Sequence, residues 1–273
     1  MKRTNNKLKV GIIGCGAIGT GIALFIDKKM HRFFSIYGLA DKQIESAKKL
    51  QNKLKTLPAI YDVKNLVERV DLVIEAASQE AAESALMKAI HFRKDIMILS
   101  TGMCVKNFSL IKKAIAKKIN VYIPSGAICG IDGIGALSKG KIKSLSLVTS
   151  KPPKGLMGVE YLIKKKINLS SLKKEIVVFR GGVRQAIKYF PKNINVAATL
   201  WLASSLKDIK VCIKADPKIK RNIHRVTVEA EEANLTFSVE NIPSRSNPKT
   251  SALTILSAQK LLEKICFSFC IGS

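Results

Sequence analysis

The stretch from Lys9 to Gly19, KVGIIGCGAIG, constrains this chain more than any other part of its sequence. KVGIIG is a short apolar run that reads as a buried strand, and AIGTGIALFIDKKM behind it carries its apolar residues at helical spacing. Between them stand Gly14, Gly16 and Gly19 in the pattern Gly-x-Gly-x-x-Gly, with Ala17 and Ile18 filling the gap. In this strand–loop–helix setting each glycine has its own reason. The first permits a tight turn, the second lets a pyrophosphate approach the backbone, and the third lets helix and strand pack closely, with the helix N-terminus facing the phosphate. Asp41 lies 22 residues past Gly19, at the end of a second strand signal, FSIYGLAD. A carboxylate there accepts from ribose hydroxyls and repels a 2′-phosphate, which favours NAD; Lys42 beside it softens the preference and leaves NADP open.

The pattern continues through residue 125. KQIESAKKLQNKL, QEAAESALMKAIHF and FSLIKKAIAKK read as helices, and DLVIEAAS, DIMILST and INVYIPSG as strands. Strands alternating with helices of this length imply a Rossmann-type, doubly wound parallel sheet over residues 1–125. Beyond PSGAICGIDGIGALSKG the period changes. IKSLSLVTSK, RVTVEAE and LTFSVEN alternate with period two, as antiparallel strands open to water on one face do, and EEAN turns the last pair as a hairpin. With the helical segments GVRQAIKYF and NVAATLWLASSL they give a second, mixed α+β domain over residues 126–249. Residues 250–266 form a last amphipathic helix whose attachment stays open, packing back on the first domain being one option.

Bulk properties narrow the function classes. The chain has 273 residues, 47% of them hydrophobic, enough for a sizeable core. Its net charge is +27. The lysines are spread along the whole length, and aromatics make up only 6%, with no run interleaving them with basic residues as a stacking platform for nucleic acid would. A solvated lysine-rich surface that attracts anionic ligands is the reading, with no nucleic acid as partner. The six cysteines show neither CxxC nor metal spacing, so no metal is expected and a reduced, cytoplasmic setting fits. The basic start and the apolar run after it mimic a signal peptide, but five glycines at motif spacing and the lack of a cleavage site argue against one. No other run approaches a membrane span, so no membrane is expected as partner.

The candidate site residues carry competing readings. Ala76, Ala77 and Ser78 in EAASQEA are small residues at a strand's carboxyl end, where cofactors lie in such sheets; Ser78 or Gln79 also suits a helix cap. Cys129 in PSGAICGID invites a thioester-forming nucleophile, although its flanks, Ile128 and Gly130, offer no base. Asn193 and Asn195 precede an apolar helix and fit a cap or a ligand contact. Ser244, Ser246, Asn247, Lys249, Thr250 and Ser251 precede the final helix, where hydroxyls, a lysine and a helix N-terminus suit a carboxylate. His31 and His91 read as surface or packing residues. His224 starts the strand RVTVEAE on its apolar side, and alternation alone leaves it between a core histidine and a site residue.

Taken in order, GIIGCGAIG, EAASQEA, IPSGAICGIDGI, FPKNINVAATL, ADPKIKRNIHRV and ENIPSRSNPKTSAL resemble the L-aspartate dehydrogenase family through nearly the whole chain. The resemblance implies a homodimeric NAD(P)-dependent enzyme that oxidises L-aspartate to iminoaspartate. That product hydrolyses to oxaloacetate and ammonia or passes toward quinolinate and NAD synthesis, with a hand-off to quinolinate synthase. It implies further that Ala127 and Asn195 contact the cofactor, that His224 is the active-site residue, and that the second domain carries catalysis and the dimer contact. An imidazole, with its ordinary pKa near 6.5, suits both deprotonation of the amine and activation of water. Lys249, Thr250 and Ser251 are the candidates for the substrate carboxylates. Gly182, Val183 and Gln185 depart from the family's pattern, and the apolar tail CFSFCIGS has no assigned role. Two other readings are an aspartate-semialdehyde dehydrogenase-like or other reductase using Cys129, and a NAD-bound nucleic-acid-binding or sensor protein drawing on the positive charge.

Overall fold

The computed structural model describes residues 7–191, 194–244, 247–267, 269 and 271, without the side chains of 247–249. The chain separates into two compact units, Met1–Pro124 with Ile255–Cys270, and Ser125–Thr254 with Ile271–Ser273.

In the first unit β1 (Leu8–Ile13) leads through the glycine loop into α1 (Ala17–Phe25), which runs on as a π-helical turn over Ile26–Met30. There follow β2 (Phe34–Ala40), α2 (Ile44–Gln51), β3 (Ala59–Ile60), α3 (Val63–Arg69), β4 (Leu72–Glu75), α4 (Gln79–Phe92), β5 (Asp95–Ile98), α5 (Gly102–Lys106), α6 (Phe108–Ala116) and β6 (Val121–Tyr122). The strands form one parallel sheet in the order β3-β2-β1-β4-β5-β6. The chain winds outward from β1 in one direction and then, through β4, in the other. In a sheet wound both ways, ligands bind beyond the carboxyl ends of the strands where the order reverses, here between β1 and β4. β4 is buried along its whole length, as a strand covered on both faces must be.

The second unit holds α7 (Ile131–Leu137), β7 (Ile142–Lys151), a 3-10 turn over Pro153–Gly155, α8 (Glu160–Lys164), β8 (Ile176–Gly182), α9 (Val183–Tyr189), α10 (Asn195–Ser204), β9 (Lys210–Ala215), β10 (Asn222–Ala230), β11 (Asn234–Asn241), β12 (Pro243–Ser244) and β13 (Asn247–Ser251). Five of these strands form a sheet in the order β11-β10-β7-β9-β8, and β12 and β13 pair separately. β10 and β11 make the expected hairpin. The three strands expected to run antiparallel do so, β7 against β10 and β10 against β11, and on its other side β7 runs parallel to β9. β8 and β9 were not among the expected strands. β9 does alternate, with Val211, Ile213 and Ala215 buried, but lysines at 210 and 214 break up its apolar signal. On the covered face of β8, Phe179 joins Tyr161, Tyr189 and Phe190 in an aromatic cluster with centroids 4.5–6.1 Å apart.

The final helix, α11 (Ala252–Cys266), starts two residues later than the sequence pattern suggests, because Thr250 and Ser251 belong to β13. From Ile255 onward it packs in the first unit. Ala258 and Leu262 are fully buried in the core built by Val10, Ile12, Ile22, Leu39 and Ile74, and Gln259 Nε2 donates to the Gly21 carbonyl at 3.0 Å. Among the described residues no helix is long and apolar enough to cross a membrane, and no group of His, Cys, Asp or Glu side chains is arranged to hold a metal.

The glycine loop yields a paired stability prediction. A Cβ on Gly19 would lie 1.9 Å from the Gly14 carbonyl oxygen, a backbone atom that cannot move aside. A Cβ on Gly16, at φ −74°, would meet nothing within 4 Å. Gly19→Ala is therefore expected to lower the free energy of unfolding by about 1–3 kcal/mol, the usual cost of overpacking. Gly16→Ala is expected to stay within about 1 kcal/mol of the parent. Urea unfolding of the two variants checks the contrast.

Candidate active site

Two clusters of polar groups stand out, one in each unit. The first surrounds the glycine loop. Gly14 has φ +95°, which only glycine adopts without strain, and its Cα faces the backbone of Ala76 and Ala77, leaving no room for a side chain. The loop is tied to both neighbouring strands: Gly14 N–H donates to the Ala40 carbonyl and Ala76 N–H to the Ile13 carbonyl, each at 2.8 Å. Asp41, at the end of β2, turns its carboxylate onto the loop. Oδ2 accepts from Cys15 N–H at 2.7 Å and Oδ1 from Gln43 N–H at 2.8 Å. A carboxylate offers about four lone-pair directions, so both oxygens keep capacity for ribose hydroxyls. Burial, aided by the Asp41 charge, pushes the Cys15 thiol up to about 12, so it is a packing group and no nucleophile.

These features fit a dinucleotide. Space is open over Gly16 where a pyrophosphate would approach, the helix begins immediately after it, and the carboxylate waits at the end of the neighbouring strand. Ala76, Ala77 and Ser78 follow β4 beside the loop. The Ser78 hydroxyl accepts from Ala81 N–H at 3.2 Å and so caps α4, one of the two roles open to it. Glu75, which the sequence reading passed over, is fully buried at the end of β4. It accepts from Ala77 N–H at 2.7 Å, Ser100 N–H at 3.1 Å and the Ser100 hydroxyl at 2.8 Å. Burial raises its pKa against the pull of those donors. The carboxyl thereby ties the loops after β4 and β5 together beneath the Ala76–Ser78 segment.

The second cluster lies on the covered face of the five-stranded sheet. For most of its length that face is apolar: Leu145 and Leu147 on β7, Val226 and Val228 on β10, and Val211 and Ile213 on β9 are buried. At one end it becomes polar. His224, only 4% exposed, pairs across the strands with Thr149, and its Nδ1 lies 3.0 Å from the Thr149 hydroxyl. Lys151, two residues further along β7, is only 7% exposed. Asn222 pairs with Asn241 of β11 in the next row. Asn241 is buried; its Nδ2 donates to the Ala127 carbonyl at 3.1 Å, and its Oδ1 accepts from the Ser251 hydroxyl. Strand register sets His224, one of the sequence candidates, on one face with Thr149, Lys151 and Asn241, which the sequence reading did not single out, and the Asn241 side chain reaches two further candidates, Ala127 and Ser251. Alternation carried a signal for Lys151: it continues the covered face of Leu145, Leu147 and Thr149.

Burial, reinforced by the Lys151 cation, drives the His224 imidazole down to about 3, and burial alone brings the Lys151 ammonium down to about 8. The sequence-based expectation of an imidazole titrating near its ordinary value is therefore corrected. Burial therefore favours the neutral form of the His224 imidazole.

Asn195 is the first residue of α10; the cap is Ile194, with no side-chain cap bond. Thr250 lies in β13, while the Lys249 side chain, Asn193 and Ser246 lie outside the described residues. Cys129 is exposed, and partial desolvation with the Asp132 charge raises its thiol, the opposite of an activated nucleophile. His31 and His91 are exposed.

Known proteins match both units. Residues 132–265 fit the family model described as aspartate dehydrogenase, C-terminal, and residues 14–124 the one described as homoserine dehydrogenase, NAD binding domain. L-aspartate dehydrogenase of Methanococcoides burtonii is 39% identical over 97% of this chain and 100% of its own length. That of Methanosarcina mazei is 42% identical over the same shares, and that of Nitrosopumilus maritimus 36% over 94% and 96%. The crystal structure of aspartate dehydrogenase from Thermotoga maritima superposes with a TM-score of 0.77 at 28% identity, covering 98% of this chain and 100% of that one. A myo-inositol dehydrogenase from Lactobacillus casei, solved with NAD(H) and myo-inositol, shares the fold at a TM-score of 0.59 and 12% identity, over 94% and 85%. By full-length identity, by its C-terminal family model and by fold, this chain belongs to the L-aspartate dehydrogenase family.

Proposed function

We propose that this chain oxidises L-aspartate at its amine-bearing carbon with NAD as acceptor, giving iminoaspartate, which water converts to oxaloacetate and ammonia. The observation that carries the reading is the polar end of the covered face, where the buried His224 imidazole, held by Thr149, shares the end of the sheet with the buried Lys151. Oxidation at Cα requires the substrate's ammonium to lose a proton so that the nitrogen lone pair can form the C=N bond. His224 is the group to take it. Thr149 fixes the ring through Nδ1, which aims Nε2 at the substrate, and burial keeps the ring unprotonated before the substrate arrives. When NAD is bound, its nicotinamide ring supplies the two-electron acceptor for the hydrogen leaving Cα. Hydrolysis of the imine then needs a proton removed from water, and the same imidazole serves once it has released its first proton.

In the first unit, Gly14, Gly16, Ala17, Ile18 and Gly19 hold the pyrophosphate, Asp41 the adenosine ribose, and Ala76, Ala77 and Ser78 line the cofactor's path. Ala127 and Asn195 are assigned to the cofactor through the family resemblance. The Asn241 hydrogen bond to the Ala127 carbonyl supports the first of these, because it fixes the backbone on which that contact would depend. Ser251, hydrogen-bonded to Asn241, with Thr250 and Lys249, belongs to the substrate's surroundings in the same reading. The second unit is then the substrate-binding and catalytic domain. A homodimer assembled through it, a cytoplasmic location and a hand-off of iminoaspartate toward quinolinate synthesis rest on the family resemblance.

Four measurements test this reading. The purified chain is expected to form NADH, followed at 340 nm, with L-aspartate at alkaline pH and not with L-alanine or L-serine; no absorbance rise with L-aspartate overturns the reading. His224→Gln is expected to lower kcat by about 10²- to 10⁴-fold, the range of general-base catalysis, with native circular dichroism. The same variant has a pH signature. An unfolded chain's imidazole takes up a proton as pH falls below about 6.5, whereas the buried ring resists until about 3, so this group costs the parent stability as pH falls through that window. Thermal unfolding across the window is expected to fall more steeply for the parent than for His224→Gln. Finally, Asp41→Ser is expected to cut the preference for NAD over NADP by at least about 10-fold in kcat/KM, since it removes the charge that repels a 2′-phosphate.

A further inference from the structure

Strands β1, β4 and β5 end side by side, with Ile13 paired to Glu75 and Glu75 to Ile98. Leu72, Val73 and Ile74 of β4 are buried and aliphatic, as the centre of a covered sheet requires, yet the strand closes on an acid that is 0% exposed. Past this last row the parallel ladder no longer supplies acceptors, and the N–H groups of the departing loops need them from elsewhere. Glu75 provides them. Its Oε1 accepts from Ala77 N–H at 2.7 Å and from the Ser100 hydroxyl at 2.8 Å, and its Oε2 accepts from Ser100 N–H at 3.1 Å. An ionised carboxylate only accepts, so donors converging on both oxygens suit its charged form, and such bonds are about twice as strong as neutral ones. Both partners stand in loops at the carboxyl end of the sheet, where dinucleotides lie in folds of this kind. The Ala76–Ala77 backbone in turn walls the glycine loop: a Cβ on Gly14 would lie 2.6 Å from the Ala76 carbonyl and 2.8 Å from the Ala77 nitrogen. One buried carboxylate thus fixes the backbone that faces the first turn of the glycine loop.

We propose that Glu75 is a positioning residue for the nicotinamide dinucleotide, its carboxylate holding the backbone of Ala76–Ser78 and of Ser100 in the shape the cofactor meets, so that affinity for the cofactor depends on a side chain beyond the cofactor's reach. The proposal rests on the cofactor site of the proposed function, in which Glu75 has no part. A loop already held in its bound shape has little freedom left to lose when the ligand arrives, whereas a released loop must be ordered at the expense of binding. Glutamine cannot replace the acid in this role. With its oxygen on Ala77 N–H, its amide nitrogen faces Ser100 N–H, donor against donor; turned over, it meets Ala77 in the same way. The sign of the effect separates positioning from simple electrostatics. A negative charge under an anionic pyrophosphate repels it, so charge alone would make a neutral variant bind the cofactor more tightly.

The test uses the full chain with Glu75→Gln, and with Ser100→Ala, which deletes the hydroxyl donor and keeps the N–H. Binding of NADH is followed by its fluorescence at a temperature well below the melting point of each protein. Glu75→Gln is expected to raise the Kd for NADH about 10-fold or more, the fold-change of one charge-assisted hydrogen bond, and Ser100→Ala to raise it roughly 3- to 10-fold. With NAD saturating, kcat and the KM for L-aspartate are expected to stay within about 3-fold of the parent, because the loss falls on binding of the cofactor and not on the reaction of the filled site. A role in folding alone would lower the melting temperature of both variants and leave the Kd for NADH in place. A Kd for NADH in Glu75→Gln within about 2-fold of the parent's, or below it, overturns the proposal. So does a kcat lowered more than about 10-fold at saturating NAD, which would place the effect on the chemical step. Should Glu75→Gln fail to fold, Ser100→Ala decides by the same limits. Failure of the parent itself to bind NADH would overturn the cofactor site of the proposed function instead, so the two failures are distinguishable.

Discussion

The pairing register between β7 and β10 is the constraint on which the second unit's chemistry depends. It sets His224 opposite Thr149 and carries Lys151 onto the same face. Because side chains alternate along a strand, a slip of β10 by one residue would turn His224 to the other face and bring Arg225 into its place beside Thr149. The slip is opposed by the aliphatic rows behind them. Val226 and Val228 would be turned outward with it, away from Leu145 and Leu147, at a cost of about 1.5–3 kcal/mol for each such side chain exposed. The apolar part of the face thus fixes the position of the polar part, which could not hold the register by itself.

The first unit solves a different problem, holding a loop of bare backbone in one shape. Glycine supplies the freedom to form the turn but nothing to keep it. That comes from outside the loop: Asp41 accepts from Cys15 N–H, Ala40 and Ile13 provide carbonyls for Gly14 and Ala76, and Glu75 gathers the loops after β4 and β5. Asp41 is therefore structural as well as available to a ribose. Its carboxylate shapes the glycine loop from the strand on which a ribose-binding acid belongs, so that on the proposed function loop geometry and ribose recognition would be linked through one side chain.

Much of this was legible in the residues. The glycine loop, the alternation of strands and helices, and the place of His224 on a covered face all follow from local pattern, because each concerns neighbours in sequence. Glu75 and Asn241 were not legible in that way. Both lie inside quoted motifs, yet their value comes from partners 25 and 114 residues away, Ser100 and Ala127. Lys151 sits between the two cases. Period two placed it on the covered face, but a lysine at a strand's end reads as the point where the strand meets water, in a chain with 47 lysines and arginines spread along its surface. Only the antiparallel partner, bringing His224 alongside, shows that the strand ends among buried polar side chains. The parallel pairing of β7 with β9 was hidden for a similar reason, since a strand's own alternation says nothing about the direction of its neighbours.

The depressed pKa values of His224 and Lys151 bear on how such a site would operate. Burial disfavours the charged form of both groups, and the lysine's charge disfavours protonation of the histidine further. On the proposed function, a dicarboxylate substrate carries negative charge toward this end of the face, and negative charge favours the protonated form of an imidazole. The group proposed to take the amine's proton would therefore be a stronger base with its substrate in place than without it. Thr149 and His224 share one end of one face, where burial keeps bulk water from levelling that difference.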